Sequence, residues 1–149
     1  FCLSKGLSAP VGSLVCGSRE FIAEARRNRK VLGGGMRQCG IIAAAGIIAL
    51  EQMVDRLAED HQNARHLAEG IARIPGLSID LERVQTNIIY FDLPGGRLSA
   101  GTLVTRLADR GIKILQVAPA RMRAVTHYGI TAEDVELTLA ALTQVVNGS

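Results

Sequence analysis

Lys5 lies in the run FCLSKGLSAPVGS, directly after an apolar, strand-like stretch and framed by Ser4 and Gly6. An amine framed in this way suits Schiff-base chemistry with a carbonyl. The neutral amine is the nucleophile, and a neighbouring cation makes that form easier to reach. Taken alone, the window equally describes a surface lysine in a turn. Three further elements give it company: Lys30, the run GGGMRQ from Gly33 to Gln38, and RAVTH from Arg123 to His127. Arg123 heads a β-branched, strand-like stretch, where a guanidinium can clamp a carboxylate through two parallel hydrogen bonds. An ordinary arginine at a strand end reads the same way. The three consecutive glycines let a backbone bend sharply or approach something closely.

Other residue types exclude other chemistries. Arg26, Arg27, Arg29, Lys30 and Arg37 fall in one short stretch of a chain whose net charge is +3. Nucleic-acid binding would want aromatic residues interleaved with such a cluster, and the chain has no Trp, 2 Tyr and 3 Phe. A compact basic cluster better suits a small phosphate or carboxylate ligand. Cys2, Cys16 and Cys39 are odd in number and lack CxxC spacing, which argues against a disulfide framework or a zinc site and fits a reducing cytosol. His61 and His66 are five apart, so they do not share a helix face as metal ligands would. They read as solvated side chains.

These residues need elements to hold them. Ser13 to Cys16 reads as a short buried strand ended by Gly17. Ser18 then caps a helix running to about Lys30, with Glu20 in its first turn and Phe21, Ile22 and Ala25 as its apolar stripe. From Gln38 to about Ile74 the pattern is helical throughout. It is apolar on all sides over Gly40 to Leu50, as a helix buried on every face would be, and amphipathic beyond Met53. That apolar run has too few residues to span a bilayer, which takes about 20. Pro75-Gly76 stops the helix. Leu77 to Leu81 and Asn87 to Leu93 read as strands, followed by a turn at Pro94-Gly95-Gly96 and a helix from Ser99 to Arg110 closed by Gly111. Strands at Lys113 to Val117 and Met122 to Thr126 precede a last helix that starts at Thr131 and runs to about Val146. This order predicts helices covering one face of a small mixed or antiparallel sheet.

With 149 residues, 48% of them apolar and 21% charged, the chain can build a real core. It has room for one domain, or for a small domain plus a piece of a larger one. No signal peptide is expected. The opening FCLS reads as the end of a strand, as if the chain began inside a longer protein.

Taken together, the blocks SKGLSAPVGSLVCGS, RRNRKVLGGGMRQ, TNIIYFDL and RAVTH resemble the threonine aldolases, collinearly over nearly the whole chain but only over the second half of such an enzyme. These are pyridoxal-phosphate enzymes of the aspartate-aminotransferase fold, type I. The resemblance implies an α/β chain in two parts. Residues 1–55 would be the end of the large cofactor-binding domain and residues 56–149 a small C-terminal α/β domain, with the change at about residues 53–57. It implies that Lys5 holds pyridoxal phosphate covalently and that Ser4 bonds the phosphate or orients Lys5. It also implies that Arg37 reaches the phosphate, that Arg123 binds the substrate carboxylate, and that Lys30 lies near the substrate. His127 is expected to be structural or to support a residue that contacts the ligand. The chain departs from the family at Ser8, where glycine is usual.

The implied activity is cleavage of L-threonine or L-allo-threonine to glycine and acetaldehyde, by a cytoplasmic homo-oligomer, a dimer or tetramer, engaged in glycine biosynthesis. The histidine that stacks on the cofactor ring, the carboxylate that pairs with its nitrogen and much of the phosphate cup precede the lysine in that family. The missing N-terminal half is therefore an expected partner, and the 149 residues alone are expected to be nearly inactive. Two alternatives remain open. One is another enzyme of the same fold, such as a β-eliminating lyase, an aminotransferase or a hydroxymethyltransferase. The other is a non-catalytic oligomerisation module.

Overall fold

The computed structural model describes residues 1–95 and 98–148. The chain divides into two compact units, Phe1–Leu57 and Ala58–Ser149. Gly96 of the expected turn lies outside the described residues; Gly95 beside it adopts φ 55°.

The first unit begins with a strap that doubles back on itself. The Phe1 amine donates to the Leu14 carbonyl and the Leu14 N–H returns to Phe1. The Leu3 N–H meets Gly12, and Cys2 bridges Ser13 in antiparallel sense. Ser13 to Cys16 forms no further ladder, so the expected strand is reduced to this single bridge. Leu3 and Ala9 turn inward and pack with Ala49, and this small cluster is the unit's buried apolar core.

Helix α1 (Arg19–Val31) starts where Ser18 Oγ accepts the Phe21 N–H, with Glu20 in the first turn beside the unpaired N–H groups. None of its residues is buried, and Phe21 of the expected apolar stripe is 52% exposed. Its C-terminus explains one of the three glycines. Gly33 takes φ 80°, its N–H bonds to Lys30, and the Gly34 N–H bonds to Arg29. This is a Schellman closure, for which a residue without Cβ is favoured.

Helix α2 (Gly40–Gln52) buries only Gly46 and Ala49. Ile41 is 87% exposed, and Ile47, Ile48 and Leu50 are exposed as well. The expectation of a helix buried on every face is not met within this unit. The continuous helix expected from Gln38 to Ile74 is also broken. A turn over 53–56 separates α2 from α3 (Leu57–Ile71).

The second unit places β1 (Ile88–Asp92), β2 (Leu115–Ala118) and β3 (Arg121–Val125) in an antiparallel sheet of order β1-β3-β2. Helices α3, α4 (Ala100–Ala108) and α5 (Ala132–Asn147) supply the rest of the unit. Period-2 alternation decides the faces of the sheet. Ile89, Phe91, Met122 and Ala124 face a core shared with Ala64, Leu67, Ile71, Leu103, Leu107 and Leu142. Each of the large side chains there stabilises the fold by about 1.5–3 kcal/mol relative to exposure. Caps mark the helix starts. Ser99 Oγ accepts the Thr102 N–H, and Thr131 and Asp134 form a reciprocal capping box. Leu77 to Leu81 is not a strand. Only Ser78 pairs, with Asp92, and a 3₁₀ turn follows at Leu81–Arg83. Among the described residues no helix is long and apolar enough to cross a membrane.

Candidate active site

Lys5 occupies the first position of a turn closed by the Ser8 N–H to the Lys5 carbonyl at 2.9 Å. Leu3, just before, is pinned from both sides, since its N–H meets Gly12 and its carbonyl accepts the Ala9 N–H. The strap therefore presents Lys5 at its tip, exposed, and no hydrogen bond or ion pair engages its side chain among the described residues. Ser8, where the resembled family has glycine, takes φ 58°, the left-handed region that a residue with a Cβ enters at a cost of about 1–2 kcal/mol.

Ser4 is half-buried and faces Cys2, with the two side-chain heteroatoms 3.4 Å apart. Ser13 Oγ donates to the same sulfur at 3.4 Å, and the thiol lies 3.6 Å from the Gly12 carbonyl. Hydrogen bonding from Ser13, then from Ser4, with the charge of Lys5 adding to it, holds the Cys2 thiol down at about 7. Sequence reasoning weighed the cysteines only as disulfide or zinc ligands and missed this cluster. Its signal is the strap itself, which brings Cys2 and Ser13 opposite each other.

Lys30 and Arg37 are exposed. The Lys30 side chain folds over Gly35, with Nζ 3.2 Å from where a Cβ at that position would stand. Gln38, just past Arg37, also takes a positive φ of 48°. Among the described residues no hydrogen bond or ion pair joins Lys5 to Lys30 or Arg37.

Arg123 lies in the second unit, on the sheet face away from the core. Two arginines share that face of β3, and their surroundings differ. Arg121 donates from Nε and Nη2 to both oxygens of Asp92, each at 2.8 Å, and this pairing holds the Asp92 carboxyl below its ordinary range. Arg123 has Tyr90 opposite it and no carboxylate partner among the described residues; its Nε is shielded from solvent and unpaired. Of the two, Arg123 is the one with capacity to take an external acceptor.

In the RAVTH block the residue that anchors the backbone is Thr126. It is buried, and its hydroxyl donates to the Asp60 carbonyl at 2.6 Å. The Asn87 side chain donates to the Thr126 carbonyl at 2.7 Å. His127 is exposed, with Nδ1 2.8 Å from the Tyr128 carbonyl. His61 is exposed and His66 pairs with Glu136 at 2.7 Å. No group of three or more His, Cys, Asp or Glu stands ready for a metal ion among the described residues.

The sequence profile of the beta-eliminating lyases matches residues 1–94, which include the strap, both helices of the first unit and β1. The chain belongs to the beta-eliminating lyase family. The chain is also similar to threonine aldolases over nearly its whole length. A low-specificity L-threonine aldolase of Arabidopsis thaliana is 44% identical over 144 residues, 96% of this chain and 40% of that protein. The Escherichia coli K12 low-specificity L-threonine aldolase is 42% identical over 134 residues, 90% of this chain and 38% of that protein. The chain thus spans about two fifths of the length of these curated relatives.

Solved structures are similar in fold. A Listeria monocytogenes protein provisionally assigned as an L-allo-threonine aldolase superposes with TM-score 0.76 at 20% identity, over 96% of this chain and 43% of that one. A variant of the lyase C-DES, solved with glycine covalently linked to its PLP cofactor, superposes with TM-score 0.58 at 21% identity, over 70% of this chain and 28% of that one. The α/β architecture expected from the sequence, part of a type I pyridoxal-phosphate fold, agrees with these neighbours.

Proposed function

We propose that this chain is the part of a pyridoxal-phosphate-dependent aldolase that carries the attachment lysine and the carboxylate-binding arginine, acting on L-threonine or L-allo-threonine to give glycine and acetaldehyde. The observation that carries this reading is Lys5 itself, an unengaged amine held at the tip of a backbone-clamped strap, in a chain similar to threonine aldolases across both units. Lys5 and Ser4 fit the cofactor. They offer a free amine for its aldehyde and, one residue earlier, a hydroxyl able to donate to a phosphate oxygen or to steady the lysine. Arg37, and less directly Lys30, add positive charge suited to a phosphate. When bound, the cofactor accepts the electron pair released as the Cα–Cβ bond breaks.

The other roles fall to the protein's own side chains. Arg123 grips the substrate carboxylate in a fork, which fixes the rotation about Cα and so selects the bond that breaks. Lys5 would hold the cofactor through its side-chain amine, and the same nitrogen, when free, would be able to take up and release a proton. The remaining groups of such a site, and the surface that covers the exposed face of α2, are proposed to come from sequence outside these residues, in an oligomer.

The reading is tested by supplying pyridoxal phosphate and threonine to the protein containing these residues. Aldehyde release that needs neither folate nor a keto acid, and that disappears with Lys5→Ala, is the expected result. Dependence on folate or on a keto acid would replace the aldolase by a hydroxymethyltransferase or an aminotransferase.

A further inference from the structure

The backbone bonds that clamp the strap fasten Leu3, Lys5, Ser8 and Ala9, but none of them involves Ser4. Ser4 is the residue that joins the pinned Leu3 to Lys5, and its partner among the described residues is Cys2. Cys2 is in turn tied across the strap by Ser13 Oγ and stands opposite it in the antiparallel bridge. A chain of three side chains, Ser13 to Cys2 to Ser4, therefore runs from the base of the strap to the residue beside the amine. The Ser4 backbone N–H bonds to the same sulfur as its hydroxyl, so substitution at Cys2 releases Ser4, while substitution at Ser13 cuts the far end of the link alone.

We propose that Cys2 is a positioning residue for Lys5: joined to Ser13, it fixes Ser4 and with it the turn that presents the amine. The proposal rests on the reading of Lys5 as the cofactor-attachment lysine. Sulfur suits the place. It accepts the Ser13 hydroxyl at 3.4 Å and meets the Ser4 hydroxyl at the same distance, so one atom ties both sides of the strap.

The test uses the protein that contains these residues and pyridoxal phosphate, with borohydride to trap the adduct and peptide mass analysis to compare the label at Lys5, Lys30 and Lys113, the three lysines of this sequence. The unsubstituted chain is expected to label fastest at Lys5. Cys2→Ala and Ser13→Ala are each expected to slow labelling at Lys5 by about tenfold, the effect of one lost hydrogen bond, while Lys30 and Lys113 keep their rates. The double variant is expected to do no worse than either single one, because both cut the same chain. Cys2→Ser keeps a hydroxyl in the thiol's place and is expected to restore the rate to within about twofold.

Unfolding midpoints measured alongside separate positioning from loss of fold, and Ser13→Ala carries the test should Cys2→Ala fail to fold. Unchanged Lys5 labelling in Cys2→Ala and Ser13→Ala, additive losses in the double variant, or no rescue by Cys2→Ser would each overturn the proposal while leaving the cofactor reading intact. Absence of preferential Lys5 labelling in the unsubstituted chain would overturn both.

Discussion

Arg123 stands directly opposite Tyr90 in the β1–β3 ladder, two residues along the same sheet face from the doubly hydrogen-bonded pair of Arg121 and Asp92. Two arginines of one strand are thereby given opposite assignments. One is committed to an internal carboxylate, and the other has no carboxylate partner among the described residues.

The contrast predicts separable phenotypes. In the active protein, Arg123→Ala is expected to raise KM for the amino acid by tenfold or more, the loss of a charge-assisted contact of about 1.5–3 kcal/mol. Its effect on unfolding stability is expected to stay within about 0.5 kcal/mol. Arg121→Ala is expected to leave KM unchanged and to cost at most about 1 kcal/mol of stability, because its ion pair is partly solvent-exposed. Steady-state kinetics and denaturant melts of both variants check this, and a KM effect at Arg121 would reverse the assignment. Asp92 adds an acid limb. Its carboxyl is held below the ordinary range, so the pair's contribution persists above that range and disappears as pH falls through the lowered value.

Ser8→Gly is expected to stabilise the first unit by about 0.5–1 kcal/mol. Relief of the left-handed backbone at φ 58° outweighs the extra freedom that glycine gives the unfolded chain. Ser8→Val, β-branched at the same φ, is expected to destabilise it. Chemical denaturation of the three versions gives the ranking, and a less stable glycine variant would mean that the hydroxyl earns its place by a contact.

The Cys2 thiol is expected to react with iodoacetamide at a rate that rises through a midpoint near pH 7, and Ser13→Ala is expected to move that midpoint upward because the Ser13 hydrogen bond is the largest cause of the lowering. The sign of the stability effect follows. The folded value lies below the ordinary 9.0, so the thiolate's contribution is full above pH 9 and fades as pH falls through about 7. Melts of the chain at pH 7 and pH 9 should show the first unit gaining stability at the higher pH relative to Cys2→Ser.

Thr126→Val is expected to cost the second unit about 1–3 kcal/mol, since it leaves the buried Asp60 carbonyl without its 2.6 Å donor. His127→Ala, at the exposed end of the same block, is expected to fall within about 0.5 kcal/mol. Equal effects of the two would contradict the anchoring of this block by Thr126.

Much of this was legible in the sequence wherever a local signal decided the outcome. Ser18 and Thr131 announced their helices through cap chemistry, and NIIYFDL and Met122 to Thr126 announced the paired strands through their residue types. Short runs without a partner signal misled. Ser13 to Cys16 and Leu77 to Leu81 are strand-like in composition, yet each contributes a single bridged residue, because a strand needs a neighbour that composition does not specify. The all-round apolarity of Gly40 to Leu50 says that the helix can be covered and is silent about what covers it. Lys5 and Arg123 were singled out through chemistry plus resemblance, and the structure adds that one is exposed and the other has an unpaired Nε. The Cys2 cluster was missed because its members, eleven positions apart, meet only once the strap closes.

Every bond that shapes the strap, from the Phe1 amine to the Leu14 amide, lies within one uninterrupted stretch of the polypeptide. The hydrogen bonds that set the Lys5 turn are thus local, while its apolar anchorage, Leu3 and Ala9 against Ala49, is borrowed from α2. An insertion between the strap and α2 is expected to be tolerated only where it leaves that anchorage in reach.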